Sequence, residues 1–314
     1  MQSLGLLPGR KKLRTLLVLA AFLSCWAASA QTANQPSADS LVEEAGKASK
    51  AGEYQTALAL YVAAATADPR LYAAALGAGD AAYSLKDVKT AAAWFKRAIT
   101  LDPDRETAYR YWGDVLLRAA GDAAGAKQKF IDAVVAEPYN QDAWHGLRQW
   151  AELEDAEIAP PFIDRPAIAI VAGDNPQSIH LTAAFGGVDA RLHPNASAWS
   201  MYIMVRQSYR AAQFKADHPG ETEYRHSLME EDAALSMVAR TASQTLAENK
   251  SGREKLDPSL RHLLELNEAG MLDCWILLNG ADAGIERDYA AYRGEHRGLL
   301  HDYLELYVVR GGKP

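Results

Sequence analysis

The chain has 314 residues, 49% of them hydrophobic and 23% charged, which is enough apolar material for the cores of two domains of ordinary size. Its 40 acidic residues outnumber its 33 basic ones, so the formal net charge is −7. A chain with this balance and no basic stripe is repelled by a phosphate backbone or an anionic lipid surface, and we therefore expect no nucleic-acid partner.

The first thirty residues have the layout of a secretory signal peptide. An early basic cluster precedes a short apolar run, residues 16–27, and small residues follow up to Ala30. We expect cleavage after Ala30, a flexible N-terminus over residues 31–37, and a mature protein that is periplasmic or secreted. No later stretch reaches about 18 apolar residues, so we expect no stable transmembrane segment after cleavage.

Lipid attachment at Cys25 is the alternative, because Leu23-Ser24-Cys25 partly resembles a lipobox. Phe22 and Leu23, however, stand where that pattern has an aliphatic and then a small residue. The leader carries four basic residues and no acidic one, so its removal takes the formal charge from −7 to −11. Only Cys274 then remains, so no disulfide can form within the chain.

Helix-breaking prolines recur at intervals of 34 and then 35 residues, at Pro69, Pro103 and Pro138, each after an acidic residue. A proline is tolerated at the start of a helix and not in its interior, so each one marks the junction between two helical units. Small and aromatic residues repeat in the same register, which is typical of stacked helical hairpins. These positions are Ala57, Ala91 and Ala126, then Tyr61, Phe95 and Phe130, then Ala64, Ala98 and Ala133, with Gly79 and Gly113 upstream.

This pattern closely resembles the tetratricopeptide repeat (TPR). Three copies and the first helix of a fourth fit the chain, at residues 38–71, 72–105, 106–140 and 141–154. The fourth helix has Trp144 and Leu147 at core positions and resembles a cap that covers the last apolar face. The resemblance implies a mainly α fold, with a right-handed α-solenoid of three repeats and a capping helix over residues 38–154.

In TPR proteins the first helices of successive repeats line a concave groove that suits a peptide or a neighbouring helix. The resemblance therefore implies a protein or peptide partner in this groove, and the acidic side chains there favour a basic or amide-rich one. The alternative is that the groove packs against the C-terminal half of the chain itself. The groove residues predicted to contact a partner are Leu76, Asp80, Tyr83, Arg110, Asp114, Leu117 and His145.

Some TPR proteins bind chaperone tails through a clamp of Lys, Asn and Arg side chains in the groove. This chain has Val42, Gly46, Thr107 and Tyr111 at those positions. We therefore do not expect it to bind a chaperone tail by such a clamp.

The composition changes after the repeats. Three prolines within residues 155–166 indicate a linker, and alternating apolar residues around a Gly-Asp-Asn-Pro turn predict a β-hairpin near 167–183, the only strands expected. Helical periodicity then returns, with Ser227 and Asp257 as predicted N-caps, so residues 167–314 should form a mostly helical module. The predicted helices span about 196–216, 227–248, 258–269, 272–279 and 284–309.

This module contains few residues in patterns that are typical of catalytic or metal sites. His226 lies four residues before Glu230, but no HExxH or other paired metal-ligand spacing is present, and Ser227 with Glu230 reads as a capping box. Cys274 has the apolar flanks that are typical of an inert buried thiol. We therefore expect no catalytic residue, no metal site and no cofactor.

The sequence thus predicts an exported TPR-containing adaptor or scaffold that binds another protein. The alternative is a hydrolase-like envelope enzyme whose site lies in the C-terminal module, with the repeats recruiting its substrate. That alternative requires the acids and histidines of residues 218–232 and 295–305 to converge in the fold.

Overall fold

The computed structural model describes residues 36–172, 179–185, 188–189 and 195–312, and the chain forms two compact units, one ending at Pro103 and one beginning at Asp104. The predicted leader, with Cys25, and the turn of the predicted hairpin lie outside the described residues. The predicted fold class, mainly α with TPR-type helical hairpins, is confirmed. No helix in the described part of the chain is long and apolar enough to cross a membrane.

From residue 36 onwards, where the structure describes the chain, the first unit forms two helical hairpins. Its helices are α1 (Ala38–Lys50), α2 (Tyr54–Ala67), α3 (Tyr72–Ser84) and α4 (Val88–Leu101). Side chains fix where two of them begin, because Ser37 accepts a hydrogen bond from the Ser40 N–H (3.1 Å) and Asp87 accepts one from the Thr90 N–H (3.0 Å). Pro69 lies in the turn between the two hairpins, as its spacing predicts.

A glycine and a phenylalanine join the two helices of the second hairpin. Phe95 of α4 is fully buried, and it lies against Gly79 of α3 so closely that a Cβ atom on Gly79 would be 2.6 Å from Phe95 Cε1. Ala91 and Ala98, which flank Phe95 on α4, are also fully buried. The repeating small and aromatic residues of the sequence therefore form the contact between helices.

The second unit begins with the third hairpin and the predicted cap. These helices are α5 (Glu106–Val115), which continues through a π-helical turn (Leu116–Ala120), α6 (Ala123–Ala136) and α7 (Gln141–Glu154). Phe130 is fully buried, and a Cβ atom on Gly113 would lie 2.5 Å from its ring. Leu147 of α7 is fully buried and Trp144 packs at the edge of the same core, as predicted for the cap.

The rest of the second unit is mostly helical. Its elements are β1 (Ala156–Ile158), β2 (Ala167–Ala172), β3 (Ile179–Phe185), β4 (Val188–Asp189), α8 (Ala196–Ser208), α9 (Leu228–Glu248), α10 (Pro258–Glu268), α11 (Leu272–Trp275), α12 (Tyr289–Tyr303) and β5 (Val309–Gly311). A π-helical turn extends α8 at Tyr209–Gln213, α11 at Ile276–Gly280 and α12 at Leu304–Val308. A short α-helical stretch (Phe214–Asp217) follows the extension of α8, and short 3-10 helices lie at Arg253–Lys255 and Ile285–Asp288. Ser227 and Asp257 are N-caps, as predicted, since their side chains accept the N–H groups of Glu230 and Leu260.

The prediction that one hairpin holds the only strands is wrong. β2 and β3 form the predicted antiparallel pair, with Ile170 opposite Leu181, but β3 also pairs with β4. In addition, β1 pairs antiparallel with β5, with Glu157 opposite Arg310. β1 and β5 are three residues each and lie far apart in the chain, so neither has a local alternation pattern that marks it as a strand.

The C-terminal helices pack on the second helix of the third hairpin. The Tyr289 hydroxyl donates to the Val135 carbonyl (2.6 Å) at the end of α6, and the Gln128 side chain on the same helix donates to Glu305 (2.8 Å). The apolar residues of α6 and α7 belong to the same buried core as those of α9 to α12. The third hairpin, the cap and the C-terminal helices therefore form one compact unit.

Residues 155–166, which the composition indicates to be a linker, are packed into this unit. They contain β1, and Ile163 is only 5% exposed. The Pro161 carbonyl accepts a hydrogen bond from the indole N–H of Trp275 (2.7 Å). The prolines of this segment exclude helix, but they do not prevent the segment from being buried.

Candidate functional site

Three predicted groove residues lie on α3 in the first unit. Asp80 is exposed, and Leu76 and Tyr83 are half-buried. The Lys86 ammonium group lies 5.5 Å from the centre of the Tyr83 ring, a cation–π contact just beyond the end of the helix. Spacings of three and four residues put Leu76, Asp80 and Tyr83 on one helix face, which offers apolar surface beside a negative charge.

The other four predicted groove residues lie in the second unit, on α5, its π-helical extension and α7. His145 is exposed, whereas Arg110, Asp114 and Leu117 are half-buried. The Arg110 guanidinium donates to both carboxylate oxygens of Glu106 (2.8 and 3.2 Å), so its charge is compensated within α5. Leu117 packs at the edge of the buried core of the unit.

A row of polar side chains joins two of these residues. Asp114 accepts a hydrogen bond from Arg118 (3.4 Å), and Arg118 donates to the Gln149 side chain of α7 (2.9 Å). Gln149 in turn lies 2.9 Å from the Nε2 atom of His145. The structure therefore brings Asp114 and His145 into one surface row, and Arg118, which the sequence analysis did not select, is its centre.

The acids and histidines that the enzyme alternative requires are distributed over several places. His226 belongs to a cavity described below, whereas the His296 ring packs on Tyr292 (4.4 Å between ring centres). His301 lies 3.9 Å from Asp132 on α6. Among the residues that the structure describes, no group of three or more His, Cys, Asp or Glu side chains is arranged to hold a metal ion.

The second unit contains a cavity of about 580 Å³ that is lined mainly by charged and aromatic side chains. This volume lies within the range of about 300–1,000 Å³ that is usual for small-molecule sites. The walls come from α8, from the segment before α9 and the first turn of α9, and from the loops around residues 165 and 281. The side chains that carry its chemistry are Arg165, Tyr202, Arg206, Arg210, Tyr224, His226, Glu230 and Asp282.

A fully buried carboxylate, Glu231, holds three of the lining side chains in place. It accepts hydrogen bonds from Arg165 and from the Tyr202 hydroxyl (2.7 Å to Oε2), and its Oε2 lies 3.0 Å from His226 Nε2. Burial acts to raise the pKa of Glu231, but the hydrogen bond from His226 and the charges of Arg165 and Arg206 outweigh it and lower this pKa to about 2. Glu231 is therefore ionised at neutral pH.

His226 is held between two carboxylates. Its Nδ1 lies 2.7 Å from Asp282 and its Nε2 lies 3.0 Å from Glu231. The ring therefore bridges a fully buried carboxylate and a partly exposed one. Asp282 is fixed in turn, because it accepts the backbone N–H groups of Gly284 (2.9 Å) and Ile285 (3.1 Å).

A second buried carboxylate, Glu230, orders the other side of the cavity. It accepts hydrogen bonds from Arg206 Nε (2.9 Å) and from the Tyr224 hydroxyl (2.8 Å). Arg206 also donates to the Tyr202 hydroxyl (3.1 Å), which links the two buried carboxylates. Burial and the charge of Glu230 raise the pKa of Tyr224 to about 12, so this hydroxyl keeps its proton and remains a donor.

Arg210 differs from the other cations of the cavity. Its guanidinium carbon lies 4.1 Å from the centre of the Tyr224 ring, and its side chain is half-buried. No carboxylate among the described residues forms an ion pair with it. Stacking on an aromatic ring is a contact that the planar guanidinium group favours, and it leaves the N–H groups at the edge of the plane available.

The sequence analysis missed most of this site, although one signal was present. Tyr202, Arg206 and Arg210 follow one another at intervals of four residues, which places them on one face of α8 and its extension. Arg165 had no such signal, because it comes from the segment that the composition indicates to be a linker. Only the fold brings Arg165 to the buried Glu231.

The capping-box interpretation of Glu230 is only half right. The Ser227 hydroxyl accepts the N–H group of Glu230 (3.3 Å), as a capping box requires. The Glu230 carboxylate, however, bonds to Arg206 and Tyr224 in the cavity. The local sequence assigns the Glu230 side chain to the N-terminus of α9, but in the fold its carboxylate bonds to side chains of the cavity instead.

Two neighbouring residues of α11 have perturbed pKa values outside the cavity. Cys274 is fully buried, as predicted, and burial raises the pKa of its thiol to about 12, so it stays protonated. Burial and the charge of Asp232 raise the pKa of Asp273 to about 6. Cys274 is thus an inert thiol at neutral pH, and Asp273 titrates closer to neutrality than an ordinary aspartate.

Solved structures that are similar to this chain include TPR domains, which match over about a third of its length. The first TPR of Spaghetti (RPAP3), bound to an HSP90 peptide, is 26% identical, with a TM-score of 0.34 over 37% of this chain and 91% of that one. The Sgt2 TPR domain from Aspergillus fumigatus is 23% identical, with a TM-score of 0.36 over 38% of this chain and 80% of that one. No protein-family model and no curated protein matches the chain.

Proposed function

We propose that the helical hairpins of this chain bind a protein or peptide partner, so that the protein acts as an adaptor or scaffold. The observation that supports this proposal is the placement of the predicted binding side chains on the first helices of the hairpins. Asp80 and His145 are exposed, and Tyr83 and Arg110 are half-buried. Side chains in these positions can contact a partner without a change in the hydrophobic core.

Self-packing in the second unit uses mainly a different helix, α6. Hydrogen bonds from the C-terminal helices reach α6 through Val135 and Gln128, and ion pairs from α12 reach Asp104 just before α5. Of the predicted groove residues, Leu117 packs at the edge of the shared core. By contrast, the hydrogen bonds of Arg110 and Asp114 stay within α5 and its extension, and His145 bonds to Gln149 of the same helix. This division of contacts favours a partner on the α5 and α7 face over a role for that face in self-packing.

The chemistry of the two faces favours a basic or amide-rich partner. In the first unit, Asp80 lies beside the partly exposed Leu76 and Tyr83, which supply apolar contact area. In the second unit, Glu106 neutralises Arg110, and Asp114 is paired with the exposed Arg118 at 3.4 Å, a contact that a basic group of a partner could replace. Each face therefore offers an acid next to side chains that can anchor a peptide.

Two variants and two matched controls test this proposal. A partner captured by the intact protein from the exported fraction is identified, and its affinity is then measured for Tyr83→Ala and Arg110→Ala. At least one of the two should weaken binding by about 1 kcal/mol or more. Tyr83→Ala should remain as stable as the parent chain, whereas Arg110→Ala removes the partner of the buried Glu106 and should lose some stability while it stays folded. Tyr54→Ala and Arg240→Ala, which change exposed residues outside the two faces, should bind normally.

The self-packing alternative predicts the opposite result. If these side chains hold the chain's own C-terminal half, Tyr83→Ala will lower stability and both variants will leave partner binding intact. That combination would contradict the proposal.

We further propose that the mature protein is exported to the periplasm or secreted, on the basis of the leader sequence. Mass spectrometry of the mature protein should then give an N-terminus at Gln31 and an unmodified chain. A diacylglyceryl mass on Cys25 would instead make the protein a membrane-anchored lipoprotein.

The enzyme alternative would place its site at the cavity of the second unit. The pKa of about 2 for Glu231 keeps that carboxylate ionised at neutral pH, where it cannot act as a proton donor. Glu230 is committed to hydrogen bonds with Arg206 and Tyr224. These features favour ligand binding over proton transfer at the cavity.

A further inference from the structure

We propose that the cavity of the second unit is a binding site for a small organic molecule with a carboxylate or phosphate group, and that Arg210 receives this group. The chain as a whole is acidic, with a formal charge of −7, yet the cavity brings together four basic side chains, with three carboxylates in or behind its walls. The basic side chains are Arg165, Arg206, Arg210 and His226, and the carboxylates are Glu230, Glu231 and Asp282.

Ion pairs between the described residues account for three of the four basic side chains of the cavity. Arg165 bonds to Glu231, and Arg206 bonds to Glu230. His226 lies between Glu231 and Asp282, 3.0 and 2.7 Å away. Among the described residues, Arg210 alone of these four basic side chains has no carboxylate partner. An oxyanion from outside the chain would complete the pattern.

The position of Arg210 suits such a ligand. Its guanidinium group is stacked on the Tyr224 ring at 4.1 Å, and Tyr224 is itself held by its hydrogen bond to the buried Glu230 (2.8 Å). The N–H groups at the edge of a guanidinium plane form a fork that matches two oxygens of a carboxylate or a phosphate. Because the ring fixes the plane beforehand, little side-chain freedom is lost when the ligand binds.

The size of the cavity indicates an organic molecule. A volume of about 580 Å³ is far larger than a single oxyanion needs, and it lies in the range of about 300–1,000 Å³ that is usual for small-molecule ligands. Tyr202 and Tyr224 supply ring surface, Ile163, Pro166 and Ala281 add smaller apolar patches, and charged side chains form the rest of the walls. We therefore infer a ligand with one oxyanion group and a compact body that carries its own hydrogen-bonding groups.

Calorimetric titration of the full chain tests this proposal, with inorganic phosphate and succinate as separate probes at constant ionic strength. At least one probe should bind saturably with one-to-one stoichiometry, and the better probe distinguishes a phosphate from a carboxylate ligand. Arg210→Gln should weaken this binding by about tenfold or more, because a hydrogen-bonded ion pair is lost. Arg210→Lys should fall between the two, because it keeps the charge and loses the fork.

Arg240→Gln is the matched control, since Arg240 is an exposed arginine on α9 that does not line the cavity, and its affinity should equal that of the parent chain. Thermal unfolding of every variant establishes that it is folded, and Arg210→Lys provides the comparison if Arg210→Gln is not. The proposal is overturned if neither probe binds saturably. It is also overturned if folded Arg210 variants bind as tightly as the parent chain.

Discussion

The contact between Gly79 and Phe95 allows the repeat register to be tested by a thermodynamic cycle. Phe95 is fully buried, so Phe95→Ala removes a complete core ring and should cost about 3–5 kcal/mol of folding free energy. Gly79→Ala places a methyl group 2.6 Å from Phe95 Cε1, well inside the carbon–carbon contact distance of about 3.5–4.0 Å. We expect this overpacking to cost about 1–3 kcal/mol.

The double variant should behave differently from the sum of the two. Once the Phe95 ring is absent, the methyl group of Gly79→Ala has room, and alanine is favoured over glycine in a helix interior by about 1 kcal/mol. In the Phe95→Ala background, Gly79→Ala should therefore be neutral or stabilising. The coupling free energy between the two positions should be about 2 kcal/mol or more.

Hydrogen exchange of the α3 and α4 amides in the full chain is the appropriate assay, because it reports the opening free energy of this hairpin separately from the second unit. Phe162→Ala is the matched control: Phe162 is 70% exposed, and its truncation should change stability by no more than about 0.5 kcal/mol. If Phe95→Ala lowers the melting midpoint by only a degree or so, or if the two changes are additive, the assignment of these residues to the helix contact is wrong.

Three further predictions concern the second unit. Glu231→Gln should cost about 3–5 kcal/mol at neutral pH, because it leaves buried cations without their counter-charge. In the parent chain the pKa of Glu231 is lowered from 4.5 to about 2. The stability that this group contributes is therefore present above pH 4.5 and is lost as the pH falls towards 2. Acid titration of unfolding should show this loss in the parent chain and not in Glu231→Gln. The pKa shift of Asp273 has the opposite sign, since this pKa is raised from 3.8 to about 6 and the ionised group therefore destabilises the fold. Asp273→Asn should stabilise the protein by about 2–3 kcal/mol at pH 7 and by nothing below about pH 4. Urea unfolding at both pH values measures this difference. Phe130→Ala should destabilise the third hairpin by about 3–5 kcal/mol. It should also lower the hydrogen-exchange protection of α7, because Gly146 of α7 packs on the same ring. Reduced exchange protection confined to α5 and α6 would contradict this prediction.

The repeats could be predicted because their determinants are local. Each proline ends a helix by its own geometry, and the small and aromatic residues that pack together, such as Gly79 and Phe95, lie within a single hairpin. The N-caps Ser227 and Asp257 were predictable for the same reason, since a cap bonds to an N–H group three residues later. Interactions of this range leave a pattern in the sequence.

The sequence shows no such local pattern for the strands β1 and β5 or for the cavity. β1 and β5 lie at opposite ends of the C-terminal half, and each is too short to show alternation. In the cavity, a side chain from a proline-rich segment, Arg165, meets a carboxylate of α9, Glu231. Whether a buried carboxylate contacts such a partner depends on how distant segments pack. The periodicity of a single sequence gives no information on that packing.

The sequence by itself determined the helical hairpins, their register and the mainly α fold, because helix breaking, capping and the packing of small residues against aromatic ones act over a few residues or within one repeat. Only the tertiary structure decided where the compact units divide and which charged residues meet. The repeat pattern runs through Pro103 without interruption, yet the third hairpin shares its core with the C-terminal helices. The physical reason is that apolar burial and buried ion pairs are set by the fit of surfaces that are distant in the chain, and the same composition can be buried in more than one arrangement until that fit is specified.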